Sequence, residues 1–256
     1  MFSYLIKIPF LKRLIPSISI RILKKFKRNR GVFKVDNTKM FLDFLDSTDR
    51  QIILHQNYET EEISILKELI KKYSVMYFFD IGANCGYYSI TLAKKFRNLN
   101  IFAFEPNNDA YKKFNKTLKI NPEISKKIIL QNYGLSDKNS KLIMKSIIKY
   151  GYAQTGGSTV NDDYHKNYET QKALFKIGDK EINIKGSVIV LKIDVEGHEI
   201  NVLKGIKKLL ANNECILQVE IFKKNFEIVN QFLINNKFFK ITTDVKTSQN
   251  YFYKNI

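Results

Sequence analysis

The segment Asp80-Ile-Gly-Ala-Asn-Cys-Gly86 has the residue types of a ligand-binding loop. Its two glycines allow the backbone to turn sharply and to approach a ligand without an intervening Cβ. The spacing does not match GxGxxG, so the dinucleotide fingerprint is excluded. An acid at a strand end suits a ligand that carries an ammonium and a sulfonium. The alternative is an ordinary turn. The candidate cofactor-binding residues are Asp80, Gly82, Ala83, Asn84 and Gly86.

Glu105 is a second acid at the position expected for a nucleoside pocket. It ends the apolar run Ile101-Phe-Ala-Phe-Glu105, 25 residues after Asp80. A carboxylate at the end of the next strand can accept hydrogen bonds from both hydroxyls of an adenosine ribose. The alternative is an acid at the start of the following helix. The glycine loop followed by Glu105, in this order along the chain, favours a nucleoside pocket.

A third cluster, Asp194-Val-Glu-Gly-His-Glu199, follows another apolar run. Open α/β folds place their chemistry at the carboxyl edge of the sheet. We predict that Asp194 orients acceptor and cofactor, and that Glu196 or His198 takes a proton from a hydroxyl. Glu220, at the end of the next strand, is a further candidate for substrate contact.

These catalytic candidates have structural alternatives. An acid such as Asp194 or Glu199 could act only on the helix dipole, worth about 0.3–1 kcal/mol, and His198 could face solvent in a first helical turn. Two carboxylates and a histidine could also bind a divalent metal, which a sequence does not distinguish from an acid/base cluster. We assign no metal.

Alternating helices and strands position these motifs. Helices are predicted over residues 62–72, 87–96, 109–120, 200–210 and 225–235, and strands over 75–81, 101–105, 127–133, 188–194, 215–221, 238–243 and 250–253. Near-continuous apolar strands joined by helices are typical of a parallel sheet covered on both faces. The last two strands are close enough to pair antiparallel. Residues 137–186 are interpreted as an insertion over the ligand-binding edge.

Composition limits the class of protein. The chain has 256 residues, 44% of them hydrophobic, which is typical of a packed globular protein and not of a disordered one. Two cysteines, Cys85 and Cys215, are too few for a disulfide framework and favour a reducing compartment. We predict a cytoplasmic protein with an N-terminal extension, residues 1–50, and one catalytic domain, residues 51–256.

The net charge of +18 is concentrated at the N-terminus, where residues 1–35 hold ten basic side chains and no acid. No signal peptide or spanning segment is present there, because the apolar stretches are far shorter than the roughly 18–20 residues that a membrane span needs. From Ser17, apolar residues recur at helical spacing among basic ones, which predicts a basic helix. It either lies on anionic lipid, peripheral to the inner face of a membrane, or packs on the domain.

The motifs together resemble the FkbM-type methyltransferases. The resemblance spans roughly residues 52–222 and rests on Asp80–Gly86, Phe104-Glu-Pro106, Leu191–Glu199 and Val202-Leu-Lys-Gly205. It implies a class I, Rossmann-like methyltransferase fold with seven strands, the last one antiparallel. It also implies S-adenosylmethionine as cofactor and methyl transfer to oxygen on sugars or related metabolites.

The leading hypothesis is therefore an S-adenosylmethionine-dependent O-methyltransferase whose acceptor is a sugar, glycan, glycolipid or small metabolite. One alternative is an RNA methyltransferase, which the charge favours but no RNA-binding motif supports. Nucleic acid is therefore not an expected partner. A second alternative is a binding protein that keeps the fold without turnover, against which Asp80, Glu105 and Asp194 argue.

Overall fold

A computed structural model describes residues 29–55, 58–149, 151–161, 167–241 and 249–256. The predicted basic helix from Ser17 lies outside the described residues. The helices are α1 Ser47–His55, α2 Thr60–Lys72, α3 Tyr87–Lys95, α4 Asn108–Lys119, α5 Pro122–Ser125, α6 Gly178–Glu181, α7 Glu199–Gly205, α8 Lys207–Ala211 and α9 Phe226–Asn235. The strands are β1 Arg30–Val35, β2 Thr38–Asp43, β3 Tyr77–Ile81, β4 Asn100–Phe104, β5 Ile128–Gln131, β6 Gly134–Ser136, β7 Ser140–Lys149, β8 Tyr152–Ala153, β9 Tyr168–Ile177, β10 Val188–Ile193, β11 Glu214–Glu220, β12 Phe239–Ile241 and β13 Asn250–Lys254.

The central sheet has seven strands in the order β12-β13-β11-β10-β3-β4-β5. Neighbours from β11 to β5 pair in parallel, whereas β13 runs antiparallel to both β11 and β12. The prediction of a mostly parallel, Rossmann-like α/β sheet with the last strand antiparallel is confirmed. From β3 the chain continues to β4, which pairs with one edge of β3, whereas β10 pairs with the other edge of β3. This reversal opens a crevice at the carboxyl ends of β3 and β10, where such folds bind ligands.

Apolar layers cover both faces of this sheet, which explains the continuous apolar runs of its central strands. Adjacent residues of β3 enter opposite layers: Phe78 packs with Ile63, Leu66 and Ile90, and Phe79 belongs to the layer of Leu191 and Leu203. Since both layers are closed by helices, the polar strand ends are the part of the sheet left to form a site.

Residues 30–55, most of which we assigned to the N-terminal extension, form a hairpin and helix α1. Strands β1 and β2 pair antiparallel around a two-residue turn at Asp36 and Asn37, both with positive φ, as type I′ hairpins require. Val35, Met40 and Ile52 are buried in the main core. The described part of the extension is therefore a hairpin and a helix packed on the domain, while the division at residue 50 stays a prediction.

The helix expected over 200–210 is divided in two at Ile206, which has φ −113° and ψ 20°. Gly205 ends the first part because its backbone packs against strand β6: a Cβ at Gly205 would lie 1.9 Å from the carbonyl oxygen of Ser136. Local periodicity does not show such an approach, so the sequence predicted one continuous helix.

The insertion is a second sheet with the order β6-β9-β7-β8. Its main pair, β7 and β9, runs antiparallel from Ser140 opposite Phe175 to Ile147 opposite Tyr168. Met144 and Phe175 on this pair, and residues 155–158 of the connecting segment, line the ligand-side crevice. The insertion therefore lies over the edge of the sheet where we placed it, but it is far more regular than its polar sequence indicated.

Candidate functional site

The crevice is a cleft with about 870 Å³ of atom-free space, counting its open mouth. The ends of the parallel strands supply most of its acidic groups, and the insertion contributes both the apolar Met144 and Phe175 and the hydroxyl of Thr155. The residues that line it include Thr48, Tyr58, Glu59, Gly82, Asn84, Glu105, Met144, Thr155, Gly156, Phe175, Asp194, Glu196, His198 and Glu220.

The glycine loop needs glycine for two different reasons. Gly82 has φ +83°, and a Cβ there would lie 1.8 Å from the carbonyl oxygen of Asp194. Gly86 has φ +83° as well, and its Cβ would enter the ring of Phe114 at 2.3 Å. Both positions therefore combine a left-handed backbone with close packing that any side chain would disrupt. The first contact joins the loop directly to the predicted catalytic segment.

Asp80 lies below this loop and is 1% exposed. Its Oδ2 accepts hydrogen bonds from the hydroxyl of Ser89 at 2.6 Å and from the Ser89 amide at 3.2 Å. Its Oδ1 has no hydrogen-bond partner among the described residues. Burial raises the pKa of this carboxyl although Lys192 opposes the shift. A buried carboxylate oxygen without a donor is an acceptor that a ligand ammonium would satisfy.

Glu105 is buried at the end of β4, where two backbone amides donate to it. Asn84 donates to Oε2 at 2.6 Å and Asn107 donates to Oε1 at 2.7 Å. Burial nevertheless raises the pKa of this carboxyl to about 7. The carboxyl is thus held in one orientation at the cleft, with lone pairs that remain free for further donors.

A buried network outside the predicted motifs holds the glycine loop in place. The hydroxyl oxygen of Thr155 lies 3.0 Å from Asn84 Oδ1, 2.8 Å from Asp46 Oδ2 and 2.9 Å from Lys113 Nζ. Lys113 also pairs with Asp49 at 2.6 Å. Asp46, which precedes α1, and Lys113 of α4 thereby meet at Thr155 of the insertion. Thr155 in turn contacts Asn84 of the glycine loop.

Asp194 and Lys192 point to the same face of β10, as the alternation along the strand predicted. Their carboxylate and ammonium lie 2.8 Å apart. Lys192 Nζ also lies 4.8 Å from the centre of the Tyr88 ring. Burial by itself lowers the pKa of Lys192, but the charges of Asp194 and Asp80 outweigh it and raise the pKa. This charged lysine therefore sits between two of the predicted site acids.

Glu196 and His198 also line the cleft, on the turn that follows β10. Burial raises the pKa of Glu196, and the charge of Asp194 adds to the shift. Burial lowers the pKa of His198, whose Nε2 lies 2.9 Å from the hydroxyl of Ser136. Two groups able to accept a proton therefore face one cavity.

Glu199 has the structural role that we gave as its alternative. Its Oε1 accepts a hydrogen bond from the amide of Gly197 at 2.6 Å, and its Oε2 lies 3.4 Å from Asn225 Nδ2. Both contacts fix the turn that leads into α7. This arrangement leaves Asp194, Glu196 and His198 as the cleft-lining members of the cluster.

Several lining residues were missed because no motif marks them. Thr48 and Gly156 approach so closely that a Cβ at Gly156 would lie 2.1 Å from Thr48 Oγ1. Glu59 did have a signal, since Tyr58-Glu59 resembles the entry segment of the FkbM-type methyltransferases, but it was assigned no role; it accepts a hydrogen bond from the buried hydroxyl of Tyr88 at 2.5 Å. The pair Gly156-Gly157, in a polar stretch, was the one local signal that the insertion approaches another backbone closely.

Comparison with known proteins identifies the family. The family described as the methyltransferase FkbM domain matches residues 80–244. The chain belongs to this family. The FkbM match begins at Asp80 and includes Glu105, Asp194 and Glu220, so the strand ends that form the cleft all lie within it. Residues 29–55, which supply Asp46, Thr48 and Asp49, precede it.

One curated relative is the hexuronic acid methyltransferase AglP of Haloferax volcanii, with 28% identity over 166 residues. The match covers 64% of this chain and 62% of AglP, so the chain spans less than two thirds of that protein. Among solved structures, the FkbM methyltransferase from Methylobacillus flagellatus has 13% identity and a TM-score of 0.49, covering 70% of this chain and 43% of that chain. An rRNA-methylase from Clostridium thermocellum has 13% identity and a TM-score of 0.45, covering 75% and 93%.

Two further features of the described residues concern membranes and metal ions. None of their helices is long and apolar enough to cross a bilayer. Within the same residues, no group of three or more His, Cys, Asp or Glu side chains is arranged to hold a metal ion. The absence of a metal from the reaction stays a prediction.

Proposed function

We propose that this FkbM-family chain is an S-adenosylmethionine-dependent O-methyltransferase that acts on a sugar, a glycan or glycolipid, or a related metabolite. One observation carries the proposal: Glu105 and Asp194 line the cleft where the sheet reverses direction, and Asp80 lies with Asp194 in the recess beside it. The family match at these same positions supports it.

The residues fit the proposed cofactor. The free Oδ1 of Asp80 would accept the methionine ammonium, and Glu105 would accept the ribose hydroxyls. Positive φ angles at Gly82, Asn84 and Gly86 set the turn of the loop, and Gly82 and Asn84 line the cleft. When bound, S-adenosylmethionine supplies an electrophilic methyl group on a sulfonium, which is a good leaving group.

Asp194, Glu196 and His198 would then serve the acceptor. Asp194, held by Lys192, would orient the acceptor hydroxyl for in-line attack on the methyl carbon. The acceptor oxygen forms a bond to that carbon as the carbon–sulfur bond breaks and its electrons stay on sulfur. The hydroxyl proton passes to a base. Glu196 is the first candidate because Ser136 already occupies His198 Nε2.

The proposed acceptor class is supported by a related protein. AglP is described as a hexuronic acid methyltransferase, which supports a sugar acceptor for a related protein. A cytoplasmic location and contact of residues 1–30 with the inner face of a membrane are further proposals, supported by the basic amphipathic pattern of that segment.

The reaction is tested with the full chain and methyl-labelled S-adenosylmethionine, using glycan and lipid extracts from cells that lack the gene. We expect label in a sugar-containing product, and mass spectrometry should show the same methyl group missing from those cells. Cofactor binding without transfer to any fraction would favour the non-catalytic alternative. Transfer to RNA alone would favour the RNA methyltransferase.

The membrane proposal needs its own experiment. The full chain should sediment with anionic vesicles at low salt and be released as ionic strength rises, because the lipid field decays over about 8–10 Å. A chain beginning at Gly31 should bind the cofactor but not the vesicles. Unfolding of the shortened chain would show that the segment packs on the domain, and equal vesicle binding by both chains would also contradict the proposal.

A further inference from the structure

The cleft has an excess of negative charge on the side of Asp194. Glu59, Asp194, Glu196 and Glu220 all line it. Glu105 lines it too, but its two oxygens already accept backbone amides. Among the lining residues in the part of the chain that the structure describes, there is no lysine or arginine. The anionic groups of the cleft wall are therefore not matched by cationic groups on the same wall.

The ammonium behind this wall, Lys192, is already engaged. Its Nζ lies 2.8 Å from Asp194 Oδ2, and the lysine is 4% exposed. The pKa of Glu220 is raised first by the charge of Asp194 and then by burial, with Glu196 contributing to the same shift. These carboxyls thus interact unfavourably with one another, as expected where too few cations are present.

Charge in such a site discriminates between ligands. A carboxylate brought beside Asp194, Glu196 and Glu220 adds a negative charge that repels their ionised forms or forces another of them to take up a proton, in a partly buried environment where Coulomb repulsion is weakly screened. A neutral hydroxyl compound adds no charge. A ligand ammonium compensates for one of the carboxylates and favours their ionised forms.

We propose that this cleft selects a sugar acceptor without a carboxylate, and that it prefers an amino sugar to a neutral sugar and both to a uronic acid. The inference rests on the proposed methyltransferase function and makes its acceptor class specific. It distinguishes this chain from its relative AglP, which is described as acting on hexuronic acid. Glu220 is the proposed specificity residue, since it lies in β11 beside the Asp194 strand and no part of the cofactor assignment uses it.

The test compares three probes of the same ring and different charge: methyl glucoside, its 2-amino-2-deoxy analogue, which carries an ammonium at C2, and methyl glucuronide, which carries a carboxylate at C6. Their affinities for the full chain loaded with S-adenosylhomocysteine are measured by ligand-observed NMR at low ionic strength. We expect the amino sugar to bind best and the glucuronide at least tenfold more weakly than the glucoside. Glu220→Gln should reduce the ratio of the glucoside affinity to the glucuronide affinity at least threefold.

Glu214→Gln is the matched control. Glu214 lies at the exposed start of the same strand and outside the cleft, so the same chemical change there should leave all three affinities unchanged. An equal change in both variants would overturn the assignment of Glu220. Equal or tighter binding of the glucuronide would overturn the charge selection itself.

The remaining outcomes separate this inference from the function on which it rests. If the protein binds S-adenosylhomocysteine but none of the three sugars, the proposed acceptor class is overturned and the cofactor assignment stands. Failure of wild-type protein to bind S-adenosylhomocysteine would overturn the proposed function as well.

Discussion

The missing side chain of Gly82 leaves the space that the carbonyl oxygen of Asp194 occupies: a Cβ at Gly82 would lie 1.8 Å from that oxygen. The amide of Asp194 donates to the carbonyl of Ile81 at 3.0 Å, so the two strand ends are joined on both sides of the contact. The proposed cofactor loop and the proposed catalytic segment are therefore packed directly against each other, and a side chain at Gly82 must displace one of them.

Gly82→Ala should be more destabilising than its backbone angle alone explains. The left-handed φ accounts for about 1–2 kcal/mol, and the clash with the Asp194 carbonyl adds about 1–3 kcal/mol. Gly186→Ala is the control, because Gly186 has φ +62° with nothing within 4 Å of its Cβ position. Denaturant unfolding should separate the two variants. Equal losses would show that the contact with Asp194 has no energetic consequence.

Glu105→Ala should weaken cofactor binding more than any other single change in the loop. It removes charge-assisted hydrogen bonds worth about 1.5–3 kcal/mol, or roughly 10- to 150-fold in affinity. Calorimetry with S-adenosylhomocysteine measures this. The ribose assignment fails if the affinity stays at the wild-type value while the variant remains folded.

The raised pKa of Glu105 predicts the pH dependence of stability. Burial raises its pKa to about 7 in the folded protein, against about 4.3 in an unfolded chain. The folded state therefore binds the proton more tightly, so this contribution to stability is complete below about pH 4.3 and is lost as the pH rises through about 7.

Glu105→Gln should remove that contribution. The unfolding free energy of wild type minus that of Glu105→Gln should fall between about pH 4.3 and 7. A flat difference for Glu105→Gln would contradict the raised pKa.

Asp194→Asn should separate chemistry from cofactor binding. The change is nearly isosteric but leaves the buried ammonium of Lys192 without its carboxylate partner, so we expect a lower melting temperature, and a larger fall in turnover than in S-adenosylhomocysteine affinity. Glu196→Gln and His198→Ala, measured alongside, rank the candidate bases. Wild-type turnover in Asp194→Asn would place the chemistry on another residue.

Thr155→Val tests whether the buried network positions the cofactor loop. The change removes the hydroxyl that meets Asn84, Asp46 and Lys113, and should cost about 1–3 kcal/mol of stability together with cofactor affinity. Thr117→Val is matched, because the buried hydroxyl of Thr117 accepts the Phe41 amide and donates to the backbone carbonyl of Lys113, and neither bond involves the glycine loop. It should lose stability but keep the affinity. Equal affinity losses in the two variants would contradict the positioning role.

The parallel sheet and the chain order of the motifs could be predicted from the sequence. Strands β3, β10 and β11 are buried on both faces, so their sequences are continuous apolar runs that end in Asp80, Asp194 and Glu220 or just before them. The hydrogen-bonded hairpin at Asp36 and Asn37 also had a local signal, a two-residue polar turn between alternating strands, which our interpretation passed over.

Only the tertiary structure decided which groups are partners. Lys113 is one lysine among many in the sequence, yet it is 1% exposed and pairs with Asp49, 64 residues away. Likewise, the contact of Thr155 with Asn84 joins positions 71 residues apart. Local periodicity reports which face of an element is buried, whereas such contacts depend on how separate elements pack, and the charge of the cleft depends on the same packing.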